Sequence, residues 1–228
     1  MNDNFLKVLV VGALFTIVGL GNVVKADVID SNDIVVANAG NYWPWGDANN
    51  SGYQLWFSDS LLGSNSGFVD SITHYAKGPF GAGGTYNLDV YLSTTNKDFS
   101  SLETNYANNH GSNKTLVFSG DLTLASSELL IDIDNIFNYQ SGNLLIEYDF
   151  NSFTGVSPGY NGQEFQSVGY NNQMLRVTQN SDEGSKVLDF GALRTTLAFN
   201  AVAVPEPSTF AIFALGLFGM LISRVKRT

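Results

Sequence analysis

Residues 155–159, Gly-Val-Ser-Pro-Gly, have the spacing of the nucleophile elbow of serine hydrolases, which would imply acyl transfer. In that elbow the backbone N–H of the residue after the serine helps to bind the oxyanion, and Pro158 has no N–H. No helical pattern follows, and His74 and His110 both precede Ser157, against the hydrolase order of serine, acid and histidine. The segment is therefore interpreted as a loop, and a secreted hydrolase is a remote alternative.

Metal-ligating residues are sparse, since the chain has no cysteine and only two histidines. Asp47, Asn49 and Ser51 place oxygen-bearing side chains at alternate positions before Gly52, as in the first half of an EF-hand calcium loop. Ser58 stands where that loop needs a bidentate glutamate, and helical patterns do not flank the segment. We therefore expect a polar turn that leads into a strand and no cofactor, with calcium binding at this loop as the alternative.

Aromatic residues crowd together near the start of the chain, where Trp43, Trp45 and Trp56 stand close to Tyr42 and Tyr53. Exposed aromatic rings can stack on sugar rings, so the three tryptophans are candidates for a sugar-binding platform. The favoured interpretation is an aromatic plug that caps a β-sandwich.

Acidic residues are plentiful, and no spacing selects a catalytic pair of the kind that glycosidases use. The carboxylates considered for such a pair are Glu103, Glu128, Glu147 and Asp149. Asp132 and Asp134, two apart on a predicted strand, project to one face and are interpreted as a solvated edge.

The charge of the central segment excludes some partners. Residues 27–204 contain nineteen acidic and six basic residues, a net charge of about −13. Nucleic acid and anionic lipid require basic patches, so neither is an expected partner. The balance suits an exported surface protein or one that gathers cations.

The central segment has the pattern of a β protein. In residues 86–92, Leu88, Val90 and Leu92 alternate with polar residues and Tyr91, as on a strand with one buried face. Further runs are predicted as strands at residues 116–124, 129–133, 143–150, 174–178 and 195–199, and residues 78–84 as a hairpin loop. The sequence therefore predicts an all-β fold, a single antiparallel jelly-roll-like β-sandwich, with at most a turn or two of helix at residues 100–106.

The order of several short motifs resembles a jelly-roll-like module found in secreted bacterial surface proteins and beside some secreted peptidases. These motifs are Tyr-Gln-Leu-Trp at 53–56, Leu-x-Val-Tyr-Leu-Ser-Thr-Thr at 88–95, Phe-Ser-Ser at 99–101, Val-Phe-Ser-Gly-x-Leu-Thr at 117–123 and Phe-Asn-Tyr-x-x-Gly-Asn-Leu-Leu-Ile at 137–146. The resemblance covers about residues 40–200 and implies no catalytic residue.

The first 26 residues are typical of a secretory signal. Lys7 precedes an apolar stretch at residues 8–20, and Val24 and Ala26 occupy the small-residue positions of a cleavage site. Signal peptidase is therefore an expected partner, with the mature chain beginning at Asp27; an uncleaved N-terminal anchor is the alternative.

The end of the chain combines a proline motif, an apolar segment and basic residues. Residues 210–222 are 13 apolar residues, which would extend roughly 20 Å as a helix, short of the roughly 30 Å hydrocarbon core. The basic residues after this segment are predicted to stop translocation and to stay cytoplasmic; they are Arg224, Lys226 and Arg227. Pro205 and Pro207 keep the preceding motif extended outside the membrane.

This arrangement resembles the PEP-CTERM sorting signal of bacterial exported proteins, with the motif at Val204, Pro205, Glu206 and Pro207. The resemblance implies recognition by an exosortase, a membrane transpeptidase, followed by removal of the tail. It also implies cells that make exopolysaccharide. The alternative is a plain C-terminal anchor that is never cut.

Together these features predict a signal peptide at 1–26, a β-sandwich domain at 27–203 and a sorting signal at 204–228 with its transmembrane segment at 210–222. The predicted function is that of a non-enzymatic surface or matrix protein, anchored transiently in the inner membrane and then displayed at the cell surface or outside the cell, where it associates with exopolysaccharide. A carbohydrate- or calcium-binding module is the alternative.

Overall fold

Short runs of β-branched, aromatic and leucine residues, separated by turns rich in glycine and asparagine, form the strands of this protein. The computed structural model describes residues 27–30, 40–41, 52–77, 84–124, 127–155, 165–168, 174–179 and 192–200. The strands are β1 (Asp27–Asp30), β2 (Gly40–Asn41), β3 (Gly52–Phe57), β4 (Gly67–Tyr75), β5 (Thr85–Thr95), β6 (Thr115–Thr123), β7 (Glu128–Tyr139), β8 (Asn143–Thr154), β9 (Phe165–Val168), β10 (Met174–Gln179), β11 (Ala192–Leu193) and β12 (Thr195–Asn200). The described helices are α1 (Asp59–Leu62) and a 3-10 helix (Tyr106–Asn109).

The strands pair antiparallel in three sheets. A four-stranded sheet has the order β1-β12-β4-β7, a five-stranded sheet has the order β10-β3-β8-β5-β6, and a small sheet has the order β11-β9-β2. The predicted antiparallel β-sandwich is confirmed, and its architecture is consistent with the jelly-roll-like description. All described strands belong to one unit, Ala26–Ala201. A second unit, Met1–Lys25 with Val202–Thr228, lies outside the described residues.

The main core is built by strand alternation. On β5 the predicted residues Leu88, Val90 and Leu92 are fully buried, and Tyr86 joins them. They meet inward-facing residues of the other strands in one apolar cluster, among them Ile146 of β8 and residues from β4 and β12. Burying a side chain of this size contributes about 2 kcal/mol, so the burial of these apolar side chains is the main driving force for folding.

Strand β7 lies at the edge of its sheet and carries a large bulge. Val69 pairs with Phe137 and Ser71 with Asp132, so four residues of β7, 133–136, stand opposite one residue of β4. Asn135 Nδ2 in this bulge donates a hydrogen bond to the carbonyl oxygen of Leu116 on β6, 3.1 Å away, and β6 is an edge strand of the other sheet. A bulge of this kind interrupts regular pairing and protects exposed edges from association with other strands.

Two local predictions are wrong. Strands β4 and β5 belong to different sheets, so they do not pair as the hairpin predicted around residues 78–84, of which 78–83 lie outside the described residues. The helical turn expected within residues 100–106 forms later, as the 3-10 helix Tyr106–Asn109. It begins after Asn105, whose side chain accepts a hydrogen bond from the backbone N–H of Ala107, as a helix-capping asparagine does.

Candidate functional site

Residues 96–114, which we call the covering segment, connect β5 to β6 and fold back over part of the outer face of the five-stranded sheet. A second apolar cluster forms there from Trp56, Leu102, Leu145 and Val177, with Phe99 and Tyr106 packed against it. Tyr106 Oη lies 2.9 Å from the carbonyl oxygen of Gly52 and 3.0 Å from that of Val177, so the two acceptors share its one proton. The covering segment is thus held on β3, β8 and β10 by both packing and hydrogen bonds.

Beneath the covering segment lies a polar cluster centred on Glu147 of β8, a residue that is 6% exposed. His110 Nε2 lies 2.8 Å from Oε2 of this carboxylate, and Lys114 Nζ lies 2.6 Å from Oε1. Gln54 of β3 also donates to Oε2 through its amide nitrogen. Three donors from two parts of the chain therefore converge on one buried carboxylate, which we call the Glu147 cluster.

The electrostatics of this cluster favour an ionised carboxylate. Burial alone raises the pKa of Glu147, but the hydrogen bonds from His110 and Lys114 outweigh it, and with Gln54 they lower the pKa to about 2. A buried charge is stable only when it is paired and hydrogen-bonded, and here both conditions are met. Glu147 is therefore negatively charged at neutral pH.

Ser93 extends the cluster into a three-residue chain of hydrogen bonds. Its Oγ lies 2.7 Å from His110 Nδ1, while Nε2 of the same ring faces Glu147. Placing the proton on Nε2 lets the ring donate to the carboxylate and accept from the serine hydroxyl. A serine, a histidine and a carboxylate in this order have the roles of a nucleophile, a general base and its orienting acid.

The burial of this chain determines what it can do. Ser93 is 0% exposed, because it lies on β5 beneath the covering segment. A nucleophile must reach a substrate carbonyl, and in this arrangement the serine oxygen reaches only His110. The geometry therefore supports a structural role: the hydrogen bonds among Ser93, His110 and Glu147 hold the covering segment on the sheet, and we call this set of contacts the fastening.

A second layer of buried amides completes the fastening. Asn109 Nδ2 donates to Gln54 Oε1 (2.9 Å) and to the carbonyl oxygen of Glu103 (2.7 Å). The backbone N–H of Glu103 in turn donates to Asn109 Oδ1 at 2.8 Å. Both amide side chains are fully buried, so each hydrogen bond avoids the cost of an unsatisfied polar group.

Gly111 allows the covering segment to return closely to β5. A Cβ atom at this position would lie 2.1 Å from the carbonyl oxygen of Thr94, which is backbone and cannot swing away. Asn113 Oδ1 accepts from the backbone N–H of Thr94 at 2.9 Å, on the same return path. Glycine is required here by this close approach of two backbones.

The other histidine lies in the main core. His74 Nε2 is 2.6 Å from Tyr148 Oη, and its Nδ1 is 3.2 Å from Thr195 Oγ1. Burial lowers the pKa of His74 to about 4 despite a backbone hydrogen bond with Arg194 that raises it. The ring is therefore neutral at neutral pH. Its contact with Tyr148 of β8 joins the two main sheets, and its contact with Thr195 of β12 lies within the four-stranded sheet.

The structure contradicts a role for Trp56 in an exposed sugar platform. Its side chain is 3% exposed, and its indole N–H donates to the carbonyl oxygen of Lys97 at 3.1 Å. The reason is the covering segment, which buries a strand face that would otherwise be open. Trp43 and Trp45 lie outside the described residues.

The calcium candidates Asp47, Asn49 and Ser51 also lie outside the described residues. Ser58, at the last position of that loop pattern, caps α1 instead: its Oγ accepts from the backbone N–H of Leu61 at 3.2 Å. The carboxylate of Asp59 accepts from the backbone N–H of Gly142 at 2.7 Å, in the turn between β7 and β8. Within the described ranges, no group of three or more histidine or acidic side chains is arranged to hold a metal ion.

The carboxylates considered for catalysis are not brought together as a set. Glu103 pairs with Lys97, and Glu128 lies on β7 of the other sheet. Glu147 and Asp149 lie two residues apart on β8, one buried and one exposed. Asp132 and Asp134 are both exposed on β7, the edge strand of its sheet.

The fold is that of an antiparallel β-sandwich, and comparison with known protein families identifies the end of the chain. Residues 203–227 match the family described as the PEP-CTERM protein-sorting motif. The chain therefore carries a PEP-CTERM sorting signal, as the sequence predicts at residues 204–228, and this motif implies an exported protein that an exosortase sorts. No curated protein matches the chain.

The signal and tail predictions concern residues beyond the described part of the chain. Ala26 and the sorting residues Val204 to Pro207 lie there, as do Arg224, Lys226 and Arg227. None of the helices in the described part has the length and apolar composition that a membrane crossing needs. The predicted transmembrane segment at 210–222 lies outside that part.

Proposed function

We propose that this chain is an exported surface or extracellular-matrix protein that associates with exopolysaccharide and has neither enzymatic activity nor a cofactor. A signal peptidase removes residues 1–26, and an exosortase then recognises Pro205, Glu206 and Pro207 while the tail anchors the chain in the inner membrane. The observation that carries the proposal is the sorting motif at residues 203–227.

The non-enzymatic part of the proposal is supported by the burial of the Glu147 cluster. In the described part of the chain, Ser93, His110 and Glu147 come nearest to a catalytic arrangement, and the serine is fully buried. Their hydrogen bonds fasten the covering segment to the sheet.

The extracellular part is supported by the composition of the chain. The net charge of about −13 in residues 27–204 favours a soluble exported surface. The sorting signal resembles that of proteins from cells that make exopolysaccharide. The partner that we propose is therefore the exopolysaccharide of the matrix.

The test of matrix association uses two hosts that both contain an exosortase, one of which makes exopolysaccharide and one of which does not. We expect the wild-type chain to sediment with the isolated matrix of the first host and to appear in the medium of the second. An equal distribution in the two hosts would refute the association.

A second measurement tests the absence of hydrolase activity. A fluorophosphonate probe, which labels activated serines, should leave the folded chain unlabelled. Labelling of wild type that disappears in a Ser93→Ala variant would overturn the non-enzymatic proposal.

A further inference from the structure

The covering segment leaves part of the outer face of the five-stranded sheet uncovered, and this open half is polar. Its side chains are Asn87, Asp89 and Tyr91 of β5, Ser119 and Asp121 of β6, and Asp149 of β8. Ser119, Asp121 and Asp149 are exposed, and the three residues of β5 are half-buried. The open half is thus a surface of hydroxyl, amide and carboxylate groups with one aromatic ring.

Two carboxylates of the open half face each other. Asp89 of β5 stands directly opposite Asp149 of β8, and like charges in this position destabilise a sheet. Neither residue takes part in the ion pairs that the described residues form. Partial burial, together with the charges of Glu147 and Asp89, raises the pKa of Asp149, and the positive charge of Lys114 offsets only part of this rise. A cationic ligand would relieve this repulsion, so the charge of the surface selects a positive partner.

A neighbouring contact shows that this face already holds an ammonium group. Lys114 Nζ lies 2.6 Å from the carboxylate of Glu147 and 4.2 Å from the ring centroid of Tyr91. Carboxylates and aromatic rings are both groups that bind alkylammonium ions in proteins. Asp89 is two residues from Tyr91 on β5 and therefore projects from the same face.

A second tyrosine borders the carboxylate pair. The Tyr106 ring packs on Gly52, where an added Cβ would lie 2.7 Å from the ring. Gly52 is the cross-strand partner of Asp149. Tyr106 therefore packs on the residue next to Asp149 across the sheet, and Tyr91 stands two residues from Asp89 along β5.

We propose that the open half binds a glycan with protonated amino groups, such as a polymer of glucosamine units. The ammonium groups would be held by Asp89 and Asp149. Sugar hydroxyls would be bound by Asn87 and Asp121, which share a hydrogen bond of 2.7 Å. The face of Tyr91 that Lys114 does not cover would stack on a sugar ring. This inference rests on the proposed association with exopolysaccharide and names the class of polymer. Polymers of uronic acids are disfavoured because their charge has the same sign as that of the protein. A lysine-rich peptide shares the ammonium group, but the flat polar face beside aromatic rings favours a sugar.

The experiment is isothermal titration calorimetry of the purified full-length chain in mild detergent and slightly acidic buffer. The titrants are a glucosamine oligomer, its fully N-acetylated counterpart, a uronic acid oligomer and a lysine oligomer of equal length. We expect the glucosamine oligomer to bind at least about tenfold more tightly than the acetylated one, since acetylation removes charge-assisted hydrogen bonds.

A double variant with Asp89→Asn and Asp149→Asn should bind the glucosamine oligomer about tenfold more weakly or worse. The matched control, Asp132→Asn with Asp134→Asn, makes the same charge change on β7 and should bind as wild type does. The inference is overturned by unchanged binding in the Asp89 and Asp149 variant, by equal binding of the acetylated oligomer, or by tighter binding of the uronic acid or lysine oligomer.

The same variants separate this inference from the proposed function. If wild type and the Asp89 and Asp149 variant sediment equally with the exopolysaccharide matrix, the open half is not the binding surface, while matrix association stands. If wild type itself does not sediment with the matrix, the proposed function fails, and the titration alone decides whether the open half binds amino sugars.

Discussion

His110 Nε2 lies 2.8 Å from Oε2 of Glu147, and this contact joins the covering segment to the middle strand of the five-stranded sheet. The two residues are 37 positions apart. This contact holds the covering segment over Trp56 and Ser93 on the outer face of the sheet. The uncovered part of that face, the open half, begins where the covering segment ends. The fastening and the proposed binding surface are thus two parts of one sheet face.

The fastening gives a prediction on stability. A Glu147→Gln variant removes the charge that His110 and Lys114 share, and breaking a buried charged pair in this way should cost about 3 kcal/mol of unfolding free energy. Urea denaturation at neutral pH measures the loss. Asp149→Asn is the matched control on the same strand and should be neutral or gain less than about 1 kcal/mol, because it relieves the repulsion with Asp89. Equal stability of the Glu147→Gln variant and wild type would contradict the fastening role.

Glu147 should also shape the acid sensitivity of the fold. Its pKa falls from the ordinary 4.5 to about 2 on folding, so its ionised form stabilises the native state. That stability is present above about pH 4.5 and is lost as the pH falls towards 2, by about 3 kcal/mol in all. Urea midpoints across this range should fall in wild type, and the Glu147→Gln variant should lack this part of the slope. If the urea midpoint depends on pH equally in both proteins, the acid sensitivity arises from groups other than Glu147.

His74 should act in a neighbouring pH range. Its pKa falls from 6.5 to about 4 on folding, so between these values the unfolded chain binds a proton that the native chain does not. Stability should therefore decrease by up to about 3 kcal/mol as the pH falls from 6.5 to 4. A His74→Gln variant, which is less stable overall, should show a flatter profile there. NMR titration of the ring checks the same point, and a native pKa near 6.5 would rule out this mechanism.

Gly111 gives a prediction about the covering segment itself. Gly111→Ala places a Cβ atom against the carbonyl oxygen of Thr94, and the resulting strain should cost about 2–3 kcal/mol. Proteolysis should then cut more readily within residues 96–114. Gly63→Ala is the control for a loss of stability away from the covering segment. Its φ of 61° and ψ of −131° also disfavour alanine, by about 1–3 kcal/mol, but a Cβ there has open space, so cleavage within residues 96–114 should not increase. If the Gly111→Ala variant resists proteolysis as well as wild type does, the covering segment does not require the close approach of residue 111 to Thr94.

The main core could be predicted because it depends on alternation within single strands. Leu88, Val90 and Leu92 are all buried as the pattern of β5 indicates, and the runs at 116–124 and 143–150 are strands. On β5 the period-two pattern and the buried face agree, so local sequence was sufficient. On β8 the sequence predicts the strand, but residues 144–148 are buried on both faces, which alternation does not predict.

The Glu147 cluster could not be predicted, because its members come together only through tertiary pairing. Gln54, Ser93 and Glu147 lie on three adjacent strands, and His110 comes from the covering segment. The sequence did contain one indication. Glu147 stands between Ile146 and Tyr148 in an apolar run, and a lone acidic residue there indicates that the strand face opposite the core is also covered. The same cause explains Trp56, whose strand face is covered by residues that alternation does not predict.

The tail gives the last prediction, since the sorting motif at residues 203–227 is the feature from which export is inferred. Replacing Pro205 and Pro207 by alanine should let the motif become helical and continuous with the apolar segment, which removes the extended chain that the exosortase recognises. The variant should stay in the membrane at full length, whereas deleting residues 210–228 should release an uncut chain, because the motif is no longer held beside the enzyme. Membrane fractionation with intact mass, in a host that contains the exosortase, compares both variants with wild type. Wild type that keeps Thr228 and stays membrane-bound in that host would favour the plain C-terminal anchor, in agreement with the alternative that the sequence leaves open.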